Sequence, residues 1–230
     1  MSNFFCQVNT KVYDEITKNI NEHVVHFNSV DKQYELVKHG VKGNFILQNM
    51  ECIVIMLDIV GYSSWCINKS SNMIISLLNT VFDKINDINT LFPFIFNLET
   101  VGDSWVGICL DVNKVDDVIK MCNIINASIN ELKVSTDWDN LSFRIGVHKD
   151  EATLYINTNS IIPRIQVIGN VMNIAQRLES TCDANTVHIT SIIVESLSKD
   201  FKNAVVIKPH IIDLKGYGVT NTFTIHYTLP

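Results

Sequence analysis

The most apolar stretch of the chain, CIVIMLDIV from Cys52 to Val60, limits what the chain can fold into. It is nine residues long and contains one charged residue, Asp58. A membrane-spanning helix needs about 20 predominantly apolar residues, so this stretch is too short and too polar to cross a bilayer. A short apolar run that ends at a glycine, here Gly61, is typical of a buried strand. We therefore expect a folded domain with a buried strand that ends at a carboxylate.

The composition predicts a globular protein. Hydrophobic residues make up 47% of the 230 residues and charged residues 18%, which is enough apolar material for a large core. At about 150 residues per domain, this length favours one domain with an appendage. Lys and Arg number 18 against 24 Asp and Glu, a net charge of −6, so we expect no nucleic-acid partner.

The cysteines and the N-terminus bear on location. The six cysteines show no C-x-x-C spacing and several lie in apolar runs, so we expect reduced thiols that pack as small apolar groups. The N-terminal residues lack a basic region followed by an apolar stretch, and no window reaches the roughly 18 apolar residues of a membrane span. The sequence therefore predicts a cytoplasmic protein that does not contact the membrane.

Residues 1–48 form a predicted helical extension. Val12, Ile16, Ile20 and Val24 recur at four-residue steps among polar residues, which predicts a helix with one apolar face. We place the boundary after this segment, so that a larger domain covers 49–230.

From residue 51 onward, strand-like and helix-like patterns alternate. The predicted elements are a strand over 52–60, a helix over 73–88, a hairpin over FPFIFNLETVGDSWVGICL, a helix over 115–132, strands at LSFRIGV and 152–156, and a helix over 170–179. Val101, Gly102 and Asp103 should form the hairpin turn, since Gly and Asp favour a backbone reversal. The order β, α, β, β, α, β predicts an α+β, ferredoxin-like sandwich with helices packed on a mainly antiparallel sheet.

Two aspartates fall at predicted strand ends. Asp58 ends the first buried strand, where a carboxylate without a partner is costly to bury, and Asp103 lies in the hairpin turn. Each alone is compatible with a turn-capping role. Together they offer two hard carboxylate ligands, which is what Mg²⁺ uses when a triphosphate and water supply the rest.

A second pair, Asn173 and Arg177, lies four residues apart on a predicted helix, so both side chains project from one face. A solvated face would explain them as well. However, the chain has only three arginines, at 144, 164 and 177, and a planar, permanently charged donor suits the charge of a transferring phosphoryl group.

Five segments, in order and spacing, carry a resemblance to a known family. They are IVIMLDIVGYSSW, NLETVGDSWVGI, FRIGVH, QVIGNVMNIAQRLES and LKGYG. Together they resemble the class III nucleotidyl cyclase catalytic domain over about residues 50–226. Five ordered segments are far more specific than a single glycine motif or a pair of acids.

The resemblance implies a metal site. Asp58 and Asp103 match the family's two metal aspartates, and Ile59 matches a backbone carbonyl ligand. The implied cofactors are two divalent cations, Mg²⁺ or Mn²⁺.

The resemblance also implies a nucleoside triphosphate site. Gly61, Tyr62 and Ser63 match the turn whose backbone amides hold the triphosphate. Asn173 and Arg177 match the residues that orient the ribose and stabilise the transferring phosphoryl group.

In this family the sites form between two chains, so the resemblance implies a homodimer with two equivalent sites at its interface. The implied reaction is attack of the ribose 3′-oxygen on the α-phosphorus, with pyrophosphate leaving. The product would be a cyclic mononucleotide read by a separate effector protein.

Some positions depart from the family pattern. The C-terminal segment LKGYG places Tyr217 where a Lys usually reaches the triphosphate and leaves Lys215 before it as the candidate phosphate ligand. Tyr62 stands where Phe is common, with Trp65 close by. These two aromatic residues are compatible with core packing or with a narrowed nucleotide pocket.

The resemblance assigns base recognition to Glu99 and Gln166. An acceptor at 99 favours a base with N–H donors, which disfavours ATP. Guanine offers two such donors and cytosine its 4-amino group. The Glu and Gln pair, with a short N-terminal extension and no attached sensor, resembles the stand-alone pyrimidine cyclases of bacterial antiphage Pycsar systems, which favours CTP over GTP. UTP is less suitable, because uracil offers only its N3–H donor. A guanylate or adenylate cyclase in ordinary signalling is the alternative.

Two alternatives of another class remain. The domain could be a catalytically idle cyclase homologue that senses a nucleotide, although retention of all four candidate catalytic and metal residues argues against this. A polymerase-type palm domain shares two carboxylates on a similar sheet, but it gives no reason for the GNVMNIAQR helix.

Overall fold

The computed structural model of the chain describes residues 24–26, 44–157 and 164–227. The strands are β1 (Val24–His26), β2 (Asn44–Ile59), β3 (Ile95–Val101), β4 (Ser104–Cys109), β5 (Phe143–Asn157), β6 (Arg164–Ile168), β7 (Thr186–Thr190), β8 (Val205–Leu214) and β9 (Gly218–Tyr227). The helices are α1 (Tyr62–Cys66), α2 (Ser71–Asn89), α3 (Val115–Ala127), α4 (Ile129–Thr136), α5 (Asn170–Ser180), α6 (Ser191–Ser196) and α7 (Lys199–Ala204).

The strands form one mixed sheet in the order β3-β4-β2-β5-β7-β9-β8, with β1 beside β2 and β6 beside β5. The pairs β2–β4, β3–β4, β5–β6, β7–β9 and β8–β9 are antiparallel, whereas β5–β7 is parallel. The chain order β2, α2, β3, β4, α3, β5 reproduces the predicted β, α, β, β, α, β pattern. The α+β prediction is confirmed.

The chain divides into two compact units. The larger one contains residues 53–149 and the described residues from Asn173 onward. The smaller one contains the described residues up to Cys52 together with those between Asp150 and Met172. The larger unit holds every predicted site residue except Gln166.

The core of the larger unit follows from two periodicities. On α2 the buried residues recur at three- or four-residue steps, at Leu77, Val81, Ile85 and Ile88. Ser70 starts this helix by accepting a hydrogen bond from the backbone amide of residue 73. On β2 the buried residues that join the same core alternate, at 53, 55, 57 and 59. Each such side chain contributes about 1.5–3 kcal/mol when it is fully buried.

Four predicted elements differ from the structure. The helix expected over 115–132 is two helices separated at Ser128, whose hydroxyl donates to the Ile125 carbonyl over 2.7 Å and competes with the helix ladder. The strands expected at LSFRIGV and 152–156 are two halves of one continuous strand, β5. The first half pairs with β7 and the second half pairs with β6. Val24 begins a strand rather than continuing a helix, and the other three positions of that predicted helix lie outside the described residues.

The described residues also bear on the cysteines and on membrane spans. The five described cysteines form no disulfide, and four of them are buried, as small apolar groups would be. Cys6 lies outside the described residues. No helix in the described ranges is long and apolar enough to cross a membrane.

Candidate active site

Asp58 lies at the end of β2, and two neighbours hold its carboxylate. The Ser104 hydroxyl donates to Oδ1 over 2.9 Å, and Arg144 Nη2 donates to Oδ2 over 2.6 Å. The Asp58 side chain is 18% exposed. The carboxylate is therefore fixed in place but still open to solvent, which is what a metal ligand requires.

Asp103 lies in the turn between β3 and β4, beside Asp58. Gly102 has φ +62°, a conformation that favours glycine and makes this tight turn possible. Burial and the Asp58 charge raise the pKa of Asp103 to about 6, although the Ile59 amide donates a hydrogen bond to it. Two half-buried carboxyl groups that repel each other are suited to binding a divalent cation, because the charge of the cation would offset the repulsion.

Among the described residues, no group of three or more His, Cys, Asp or Glu side chains is placed to hold a metal ion. The predicted set needs only two carboxylates. The remaining ligands were expected from the Ile59 carbonyl, from triphosphate and from water, and the Ile59 assignment stays a prediction.

Arg144 is a site residue that the sequence did not single out. It lies on β5 and bridges two carboxylates, since its Nε also pairs with Glu179 Oε1 on α5 over 2.9 Å. The Glu179 side chain is 10% exposed, and burial raises the pKa of Glu179 while the guanidinium opposes that change. The three residues join β2, β5 and α5 next to Asp103. The only sequence signal was the rarity of arginine.

The predicted phosphate turn follows β2 directly. Gly61 has φ +74° and precedes the five-residue helix α1, which contains Tyr62 and Ser63. Tyr62 hydrogen-bonds Cys66; burial and this bond raise the pKa of its hydroxyl to about 12. Trp65 stacks on Trp138 with the ring centroids 4.9 Å apart.

Of the two interpretations of Tyr62 and Trp65, the contacts support core packing. Both side chains are partly buried and pack against the hydrophobic core of the larger unit. Their role in shaping a nucleotide pocket has no support from these contacts.

Asn173 and Arg177 lie on the outer face of α5. Ala175 and Leu178 are fully buried on the opposite face, whereas Asn173 is exposed and Arg177 is half-buried. The helix lies very close to β5 at Gly146, where an added Cβ would come within 2.3 Å of the Ala175 carbonyl oxygen. Since Glu179 faces Arg144 and the sheet, Arg177, two residues earlier, lies on the other side of α5 from this cluster.

Lys215 lies at the other end of the sheet from Asp58. The bond from Val60 N to Ser142 O places the start of β5 beside the end of β2, and β7 runs parallel to β5. Strand β9 runs antiparallel to β7, and its first residues extend past the last residue of β7. The β8–β9 turn, which contains Lys215, therefore lies at the end of the sheet away from Asp58. One chain therefore does not bring Lys215 to its own aspartates.

The two predicted base-reading residues lie in different units. Glu99 is exposed on β3 after a β-bulge between Asn97 and Glu99. Gln166 is exposed on β6 opposite Tyr155. The structure places each residue on its strand, and their joint role stays a prediction.

Comparison with known families decides the classification. The model of the adenylate and guanylate cyclase catalytic domain matches residues 46–227. The chain belongs to this family. The match covers all of the predicted site residues and excludes most of the N-terminal extension.

Individual relatives of this class III cyclase domain agree with the match. Human guanylate cyclase soluble subunit beta-2 is 23% identical over 177 residues, covering 75% of the chain and 28% of the relative. The germination-specific adenylate cyclase of Dictyostelium discoideum is 25% identical over 175 residues, covering 74% of the chain and 20% of the relative. The chain spans less than a third of either relative.

Solved structures show the same fold. One is the guanylate cyclase domain of RhGC from Catenaria anguillulae, in complex with GTP, which has a TM-score of 0.69 at 20% identity. The match covers 78% of the present chain and 98% of the RhGC chain. The adenylyl cyclase CyaB from P. aeruginosa has a TM-score of 0.70 at 17% identity, covering 79% and 96%. A guanylyl cyclase domain from Blastocladiella emersonii with a TM-score of 0.67 at 18% identity, covering 79% and 98%, is described as a non-canonical dimer.

Proposed function

We propose that the protein is a nucleotidyl cyclase that converts a nucleoside triphosphate into a 3′,5′-cyclic mononucleotide and pyrophosphate. The main support for this proposal is that the Asp58 and Asp103 carboxyl groups lie next to each other, at the ends of β2 and β3, in a class III cyclase domain. The ribose 3′-oxygen loses its proton and bonds to the α-phosphorus, while the bond from that phosphorus to pyrophosphate breaks.

Asp58, Asp103 and the Ile59 carbonyl would hold two divalent cations, Mg²⁺ or Mn²⁺. When bound, these ions supply positive charge at the attacking and leaving oxygens. Ser104 and Arg144 keep the Asp58 carboxylate in one orientation. The amides of Gly61, Tyr62 and Ser63 would bind the triphosphate next to the metal site.

The active form would be a homodimer with two equivalent sites at its interface. Arg177 lies on the other side of α5 from Glu179, which faces the Arg144 and Asp58 cluster, and Lys215 lies at the opposite end of the sheet. A second copy related by a two-fold axis would supply both residues to the first copy's metal site. Asn173 would then orient the ribose, and Arg177 would stabilise the phosphoryl charge during transfer.

For the base we propose CTP, with UTP less suitable and GTP as the second candidate. Glu99 offers an exposed carboxylate that accepts from an amino group, and Gln166 offers an exposed amide that both donates and accepts. The support for GTP is that several relatives, the human one included, are named guanylate cyclases. A cyclic pyrimidine nucleotide would act as a messenger in antiphage defence, read by a separate effector protein.

The test is incubation of the purified protein with Mn²⁺ and one of CTP, UTP, GTP or ATP, with mass identification of the product. Cyclic CMP as the main product is the expected result. Cyclic GMP as the main product would replace the pyrimidine proposal with the guanylate one. If no nucleotide gives a product while Mn²⁺ and nucleotide still raise the melting temperature, the protein is an idle nucleotide-binding homologue.

A further inference from the structure

His188 is a buried histidine outside the metal and nucleotide sites, and it contacts the end of the helix that carries Arg177. The residue lies on β7 and is 2% exposed. Its Nδ1 lies 3.0 Å from the Leu178 carbonyl oxygen on α5, and its Nε2 lies 2.8 Å from the Thr222 hydroxyl on β9. The imidazole therefore connects the last turn of α5 to the sheet.

The partners of His188 define its tautomer. A backbone carbonyl can only accept, so Nδ1 carries the proton and donates it to Leu178. Nε2 is then the acceptor for the Thr222 hydroxyl proton. Burial lowers the pKa of His188, which keeps the ring neutral near pH 7.

Side chains as well as backbone amides bind the carbonyl groups of the last turn of α5, since the Thr181 amide also donates to the Arg177 carbonyl over 3.1 Å. The final four carbonyls of a helix have no partner within it. Here the Thr181 hydroxyl donates to the Arg177 carbonyl over 2.8 Å and lies 3.3 Å from His188 Nδ1. Thr181 and His188 together therefore hold the carbonyls of Arg177 and its neighbour Leu178.

The bond from His188 Nδ1 to the Leu178 carbonyl adds a restraint at the end of α5. At Gly146, the helix already packs against β5 without room for a methyl group. His188 adds a directional bond at the end of the helix, one residue after Arg177. A shift of about 1 Å in a catalytic group can lower turnover by about a hundredfold.

We propose that His188 is a positioning residue that sets the placement of Arg177 by binding the Leu178 carbonyl at the end of α5. The inference rests on the proposed cyclase function for its effect on turnover, but the anchoring itself does not. A positioning role predicts a loss of kcat with little change in KM, since the triphosphate-binding residues are unaffected.

The experiment compares four variants with the wild type, in the full chain. His188→Val removes the bond to Leu178, and His188→Asn keeps a side-chain N–H near the Nδ1 position. Thr222→Val is the matched control, because it removes a hydrogen bond of the same histidine on the side away from α5. Thr181→Val serves as a second test if His188→Val does not fold. Amide hydrogen exchange in α5 and steady-state kinetics are measured for each variant.

We expect His188→Val to lower kcat at least tenfold with KM within about twofold, and to raise amide exchange in the last turn of α5. His188→Asn should keep kcat within about threefold of the wild-type value, and Thr222→Val should stay within the same range. Wild-type kcat in a folded His188→Val protein, or an equal loss in Thr222→Val, would overturn the proposal. A wild type without cyclase activity would refute the proposed function but not the anchoring of α5. The anchoring would be refuted separately if amide hydrogen exchange in α5 were the same in His188→Val as in the wild type.

Discussion

The Arg144 guanidinium donates to the Asp58 carboxylate over 2.6 Å and thereby joins β5 to the candidate metal site at the end of β2. The Arg144 Nε also forms an ion pair with Glu179, so one guanidinium group lies between two carboxylates. A third carboxylate, Asp103, contacts Asp58. Arg144 therefore offsets negative charge at the place where the cyclase proposal requires cations.

Replacing Arg144 by Ala should lower the free energy of unfolding by about 1–3 kcal/mol, because it leaves the partly buried Asp58 and Glu179 without a counter-charge. The measurement is urea unfolding at neutral pH. The matched control is Lys84→Ala, which breaks the 2.7 Å pair with the exposed Glu131 and should cost less than about 1 kcal/mol. Equal losses in the two variants would contradict a special role for the Arg144 cluster.

Replacing Asp58 or Asp103 by Asn should lower turnover about a hundredfold or more while the fold survives, since both residues lie at a solvent-facing site. The same variants should lose the rise in melting temperature that Mn²⁺ gives the wild type, because the ion binds only the folded state. Turnover and calorimetry check the two effects. Full activity in either variant would refute the two-metal assignment.

Arg177→Ala should lower kcat strongly with little change in KM, because the contact to the phosphoryl group strengthens in the transition state. Gln176→Ala is the matched control, since this neighbour on α5 is exposed and its replacement should leave both constants unchanged. Steady-state kinetics with the preferred nucleotide decide the case. A change confined to KM would assign Arg177 to ground-state binding instead.

The buried His188 should make stability depend on pH. Burial lowers its pKa below the ordinary value of 6.5, so below that value the unfolded chain takes up a proton that the folded protein resists. Stability from this group is complete above about pH 6.5 and falls as the pH is lowered. The melting temperature of the wild type should therefore fall more steeply between pH 7 and pH 5 than that of His188→Asn. Parallel curves for the two proteins would contradict this sign.

The features that sequence predicted are those encoded by neighbouring residues. Asp58 could be placed at a strand end because an apolar run leads into Gly61. The hairpin turn was predicted from Gly102 and Asp103, and the structure has it there with Gly102 at positive φ. Asn173 and Arg177 share a helix face, as four-residue spacing requires.

The features that sequence missed depend on contacts between distant segments. The Arg144 cluster joins residues 86 positions apart, and the His188 bond to Thr222 joins residues 34 apart. Local periodicity contains no information on such pairs. The break at Ser128 was also missed, because a serine inside an apolar pattern is tolerated in helices and its bond to the Ile125 carbonyl appears only in the folded chain.

If each active site combines the carboxylates of one chain with Arg177 of another, mixing two inactive variants should restore activity. Asp58→Asn and Arg177→Ala proteins are assayed alone and after mixing under conditions that exchange subunits. Each alone should be inactive. Half of the dimers in an equal mixture are mixed dimers, and each of these has one intact site, so about a quarter of wild-type activity should return. A mixture that stays as inactive as its components, although exchange has been verified, would contradict a site shared between chains.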